Sequence, residues 1–188
     1  SGAFTYSEAQ TLYGQLQGKY VVLTTLPVAI STSIATAAIP NIASSMALKD
    51  KKAVGRKINM AIKISMIISI PAAVGMAVLS DQILMMLFPT EPGGGELLKI
   101  GSISIIFLAL SQIVTGTLQG IGRVKIPALN AFFGAIVKII FNYFLIIIPS
   151  INVKGAVIST IACYVVASGL NFFALVKITK LKIKLVDI

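Results

Sequence analysis

The stretch 126–148, IPALNAFFGAIVKIIFNYFLIII, restricts what this chain can become more than any other. A helix of about 20 apolar residues crosses the roughly 30 Å hydrocarbon core of a bilayer, and this run is long enough to do so. Yet it carries Lys138 near its middle, where a lysine costs about 2.5 to 3.5 kcal/mol on insertion scales. Asn130, Gly134, Lys138 and Asn142 recur every four residues, so a helix sets them along one stripe. Phe132, Phe133, Ile136, Ile140 and Phe144 take the opposite side and suit lipid or apolar neighbours.

The rest of the chain agrees with a membrane solvent. Hydrophobic residues make up 56% and charged residues 12% of its 188 positions, and the mean hydropathy is +0.94. A net charge of +10 would suggest nucleic acid in a polar protein. Here the basic residues fall in short gaps between apolar runs, where they read as topology signals, and nucleic acid is not expected as a partner. Cys163 is the single cysteine and there is no histidine, so neither an internal disulfide nor a cysteine and histidine metal cluster can form. Paired carboxylates and a Walker sequence are absent too, and Gly93 to Gly95 lacks the lysine and hydroxyl residue that would make it a phosphate loop. No catalytic residue, metal or cofactor is expected, and the chain is not read as an enzyme. It opens on Ser1, Gly2 and Ala3 with no initiator methionine and no signal-peptide pattern, as a piece of a longer protein would.

The expected fold is all-α, a polytopic transmembrane helix bundle of about five spans: 12–39, 58–79, 97–121, 126–148 and 153–178. Pro27 and Pro71 sit mid-span and are candidate kinks or hinges. Pro40 is expected to end the first span, with part of 41–57 forming an amphipathic helix at the interface. The run 83–88 is too short to cross, and PTEPGGGE at 89–96 is a turn. In the third span Ser104, Ser111, Gln112, Thr115 and Gln119 gather mostly on one side, and in the fifth Gly155, Ser159, Cys163, Ala167 and Asn171 form a small-residue face for close packing. Eleven basic residues, in 49–57, 123–125 and 177–184, fall on one side of the membrane; Lys99 and Lys154 fall near the other. By the positive-inside rule the N-terminus is outside and the C-terminus cytoplasmic.

The candidate cavity residues are Lys138, Lys19, Asn142, Asn130 and Gln112. Lys138 reads either as an anion-attracting group lining a cavity or as a lysine hydrogen-bonded to amides or carbonyls of neighbouring helices. Lys19, nearer the outer end of its span, binds an anion or snorkels to the surface. The glutamines and asparagines serve substrate or join helices. Lys63, near the start of its span, reads as an interfacial anchor.

Four segments together resemble a known group: YGQLQGKYVVLTTLPVAISTSIATAAIPNIA, IPAAVGMAVLSDQILMMLF, LQGIGRVKIPALNAFFGAIVKIIFNYFLI and IPSINVKGAVISTIACY. They are similar to polysaccharide-biosynthesis transporters of the stage V sporulation protein B type. These share a superfamily with the lipid II flippase MurJ, the O-antigen flippases and the multidrug MATE exporters. The resemblance runs from about Tyr6 to Lys177, and LQGIG at 118–122 with Ile126-Pro127 is its most specific piece. It implies a two-lobe transporter working by alternating access, of which this chain supplies part of the C-terminal lobe and a missing N-terminal lobe the rest. It implies a bacterial plasma-membrane location and an anionic substrate, a lipid-linked oligosaccharide or lipid II-like molecule carrying a pyrophosphate. One departure stands out: MurJ-like members carry a cavity arginine about five residues before the leucine-proline motif, and here that position is Val22, with Lys19 the nearest cation. Two other readings compete, a cation-coupled multidrug exporter of the MATE type and a membrane assembly subunit that transports nothing.

Overall fold

The computed structural model describes residues 6–91, 93–148, 151 and 153–179, and among these the regular structure is helical throughout. The expected turn at 89–96 therefore has Pro92 outside the described residues, and the basic exit beyond 179 lies outside them as well.

The first helix is a 42-residue rod, Tyr6–Ala47. It consists of α1 (Tyr6–Gly14), a π-helical turn (Gln15–Val21) and α2 (Val22–Ala47). At 1.5 Å per residue it is about 63 Å long, twice what the hydrocarbon core requires. Pro40 does not end it, contrary to the sequence expectation, because a proline removes only one backbone donor and the last turns are held from outside. Lys57 donates from Nζ to the Asn41 carbonyl at 2.9 Å and to Ser45 Oγ at 2.8 Å, and Ile42 is completely buried. Nor does a separate interfacial helix form over 41–57. The chain reverses within 48–50, with Lys49 in the left-handed region at φ 56°, and α3 (Lys51–Val78) starts on an Asp50 cap whose carboxylate accepts the Ala53 N–H at 2.9 Å. Pro27 and Pro71 both lie inside continuous helix.

After α4 (Ser80–Leu87) the expected third span is divided, a correction to the continuous 97–121 reading. α5 (Gly95–Gly101) and α6 (Ser104–Gly120) meet at 45°. At this junction Tyr20 packs onto Gly101: a Cβ there would stand 2.0 Å from Cε2 of the ring, so only glycine admits the ring against this end of α5. α6 then ends on the LQGIG sequence, which closes a Schellman turn. Arg123 N–H bonds the Leu118 carbonyl at 2.7 Å, Gly122 N–H bonds the Gln119 carbonyl at 2.9 Å, and Gly122 adopts φ 79°. The chain re-enters as α7 (Lys125–Ile146) and returns as α8 (Val153–Thr179).

Helix α6 is the centre of the bundle, packed against α2, α3 and α8. Ile42, Ile58, Ile62, Ile113, Val114, Leu118 and Leu175 form the main core. Ser31, Ser65 and Ser69, all fully buried, bond one another between α2 and α3, with Ser65 donating to Ser31 at 2.8 Å, so the core's hydroxyls are satisfied without water. Helix α7 packs mainly on α8 and leaves Phe132, Phe133, Ile136, Ile140 and Phe144 exposed, the face that the sequence assigned to lipid. Four helices, or five spans with the bent pair counted as one, are long and apolar enough to cross a membrane.

Candidate functional site

The polar stripe of α7 and the small-residue face of α8 meet in antiparallel register. Asn130 donates from Nδ2 to Asn171 Oδ1 at 2.7 Å, and Asn171 donates onward to Thr115 Oγ1 at 3.3 Å. A Cβ at Gly134 would stand 3.1 Å from the Cys163 carbonyl and 3.2 Å from the Ala167 Cβ. Ser159 donates to Asn142 Oδ1, and a Cβ at Gly155 would stand 2.8 Å from the Leu145 Cβ. The rungs at Asn130 and Asn142 each pair one polar group with another, and the glycines let the backbones approach. In the same register Lys138 stands opposite Cys163, whose thiol offers an ammonium no charge and only a weak acceptor. Among the described residues Lys138 has no hydrogen-bond or ion-pair partner.

Lys138 opens instead on a cleft of about 340 Å³ between α7 and the first rod, floored by α6 and α8. Tyr20, Thr24, Thr25, Ser104, Thr160 and Tyr164 supply hydroxyls to its lining, Gln17 and Asn142 supply amides, and among the described residues Lys138 is the only charged one that lines it. Some hydroxyls are already engaged: Thr24 and Thr160 donate back to carbonyls of their own helices at 2.8 Å each, and Tyr20 shares a 3.2 Å bond with Ser104. Each oxygen can still accept, and those of Tyr164 and Gln17 are not held in place. An apolar groove of about 240 Å³, lined by Leu12, Tyr13, Ile146 and Val153 among others, adjoins the cleft and shares Leu16 and Ala156 with it. A cation beside hydroxyl and amide donors, with a greasy channel next to it, matches the chemistry of an amphipathic anion.

The other sequence candidates lie elsewhere. Lys19 is buried, but its ammonium donates to the carbonyls of Glu91 and, at 3.0 Å, Gly93, and lies 5.2 Å over the Phe88 ring, away from the cleft. Asn130 is spent on the α7–α8 seam, and Gln112 is half-buried on α6 without lining the cleft. The structure adds Gln17, Tyr20, Thr24, Thr25, Thr160 and Tyr164. Their signal in sequence was a scatter of polar residues in the first and last spans, and only the placement of the π turn and α2 across from α7 shows that they converge.

Fold and site define an integral-membrane helix bundle with a cationic, hydroxyl-lined cleft within the membrane-crossing region. Compared with known proteins, the chain matches the family described as lipid II flippase MurJ over residues 20–186, and it belongs to that family. It is 30% identical to the uncharacterized membrane protein YabM of Bacillus subtilis over 175 residues, covering 93% of this chain and 32% of that protein. Its identity is 28% to the lipid II flippase MurJ of the same organism, over 82% of this chain and 29% of the relative, and 23% to stage V sporulation protein B, over 92% and 33%. The chain thus spans about a third of the length of the curated relatives it matches. No solved structure matches it.

Proposed function

We propose that the protein moves a lipid-linked saccharide, of the undecaprenyl-pyrophosphate type, to the outer leaflet of a bacterial plasma membrane by alternating access, for cell-wall or polysaccharide biosynthesis. The observation that carries this reading is Lys138: among the described residues it is a cation without a partner, in a cleft lined otherwise by uncharged side chains, beside an apolar groove. Membership of the lipid II flippase family supports the same substrate chemistry. Lys138 attracts the pyrophosphate, while Asn142, fixed by Ser159, holds the adjacent wall. Lys19, Asn130 and Gln112 are given structural work, since their polar groups are tied elsewhere or lie off the cleft. The remaining lobe of the transporter closes the cavity from the opposite side. The N-terminal end of this chain lies outside and its C-terminal end in the cytoplasm, as the basic loops direct.

The test is transport by the intact protein in proteoliposomes. Lipid-linked saccharide of the undecaprenyl-pyrophosphate type should become accessible to an enzyme on the far side faster than in protein-free vesicles. Sodium- or proton-coupled dye efflux with no saccharide movement would instead make the multidrug exporter the correct reading.

A further inference from the structure

Seven residues, Gln15–Val21, leave α geometry for a π-helical turn where the first rod passes the cleft. Such a turn inserts extra chain into a helix, so conversion between π and α geometry rotates one flank against the other. Here the turn has two different faces. Gln15 and Lys19 face the loop after α4: Lys19 grips the Glu91 and Gly93 carbonyls, and a Cβ at Gly93 would stand 2.7 Å from the Gln15 amide nitrogen. Leu16, Gln17, Tyr20 and Val21 face the other way and wall the cleft that holds Lys138. Tyr20 also fills the bend between α5 and α6, over Gly101. One wall of the cleft is therefore fastened at consecutive residues to a glycine-rich loop and to a broken helix.

The nature of the Lys19 fastening matters. An ammonium on backbone carbonyls makes strong bonds while dry, but water can replace those acceptors with little net loss, so the clasp is reversible in a way that apolar packing is not. The sequence reading of Lys19 as a cavity cation leaves these contacts unexplained. The π turn supplies what a moving part needs, a helical segment with a second register available.

We propose that Gln15–Val21 is a gate segment: with Lys19 clasped on the Glu91 and Gly93 carbonyls the cleft keeps its observed width, and release of Lys19 lets the segment shift register and widen the cleft at that end of the bundle. This does not depend on the substrate's identity.

The test uses the intact protein in nanodiscs, in a Cys163→Ser background, with Thr160→Cys as reporter inside the cleft. Modification by a charged methanethiosulfonate reagent is followed at position 160 by mass spectrometry. Lys19→Met keeps the stem over Phe88 and removes the donors, and should speed modification about tenfold, the scale of a lost charge-assisted hydrogen bond. Ser69→Cys, a near-isosteric change at a fully buried core position, reports general loosening and should stay protected in every variant. In a second arm Gln15→Cys and Gly93→Cys are oxidised to a disulfide, which should slow modification at position 160 about tenfold relative to the reduced protein. If Lys19→Met does not fold, this arm decides. Equal rates at position 160 with and without Lys19, or in oxidised and reduced protein, overturn the proposal.

Discussion

Replacing Lys138 with methionine should raise the intact protein's resistance to heat and, in the same variant, remove most of its transport. The two effects have one origin. Near mid-membrane a lysine costs about 2.5 to 3.5 kcal/mol, and among the described residues neither ion pair nor hydrogen bond offsets that cost at Lys138. Methionine fills similar space without a charge, so a gain of about 1 to 3 kcal/mol in stability is expected, read as a higher melting temperature in detergent. Loss of this charge from the cleft lining should lower transport about ten- to a hundredfold at equal protein level, the range for losing a bond to a charged group. Lys138→Arg should retain a substantial part of it. If Lys138 instead tied α7 to its neighbours, methionine would lower the melting temperature and arginine would fare no better.

Gly101→Val should have the largest effect on folding. The first added carbon would meet the Tyr20 ring at 2.0 Å, and that ring, only 4% exposed and bonded to Ser104, can move only by giving up its packing. Overpacking of this kind costs about 1 to 3 kcal/mol, and valine's branching adds to it. Tyr20→Leu in the same chain should recover part of the loss, because the two positions share one space and their effects do not add. Thermal unfolding of the single and double variants, followed by circular dichroism, measures this. Purely additive losses would mean that Gly101 and Tyr20 do not share one space.

Much of the fold was legible because a bilayer leaves a chain few choices. Runs of about 20 apolar residues must be helical there, and LQGIG announced the reversal between α6 and α7 through the one glycine with positive φ that it needs. The four-residue stripes on α7 and α8 were legible too, though not that each was the other's counterpart: Asn130 finds Asn171 and Asn142 finds Ser159 only once the register is known. Where reading failed, the deciding force was tertiary. Pro40 looks like a stop, but Lys57 and Ile42 hold the helix beyond it. The π turn at Gln15–Val21 and the bend after Gly101 carry no proline to mark them, so the sequence did not announce either. Lys19 and Lys138 looked alike as intramembrane cations, and only the Glu91 and Gly93 carbonyls separate a clasped lysine from an open one.

Recognition of the anionic part of an amphipathic ligand by Lys138 is read out in binding. Intact protein in nanodiscs is titrated with undecaprenyl pyrophosphate and, separately, with uncharged undecaprenol, and occupancy is read by native mass spectrometry. The wild type should prefer the pyrophosphate by about tenfold or more, and Lys138→Gln should reduce that preference to near unity while leaving undecaprenol binding unchanged. An undiminished preference in Lys138→Gln would mean that Lys138 does not recognise the pyrophosphate.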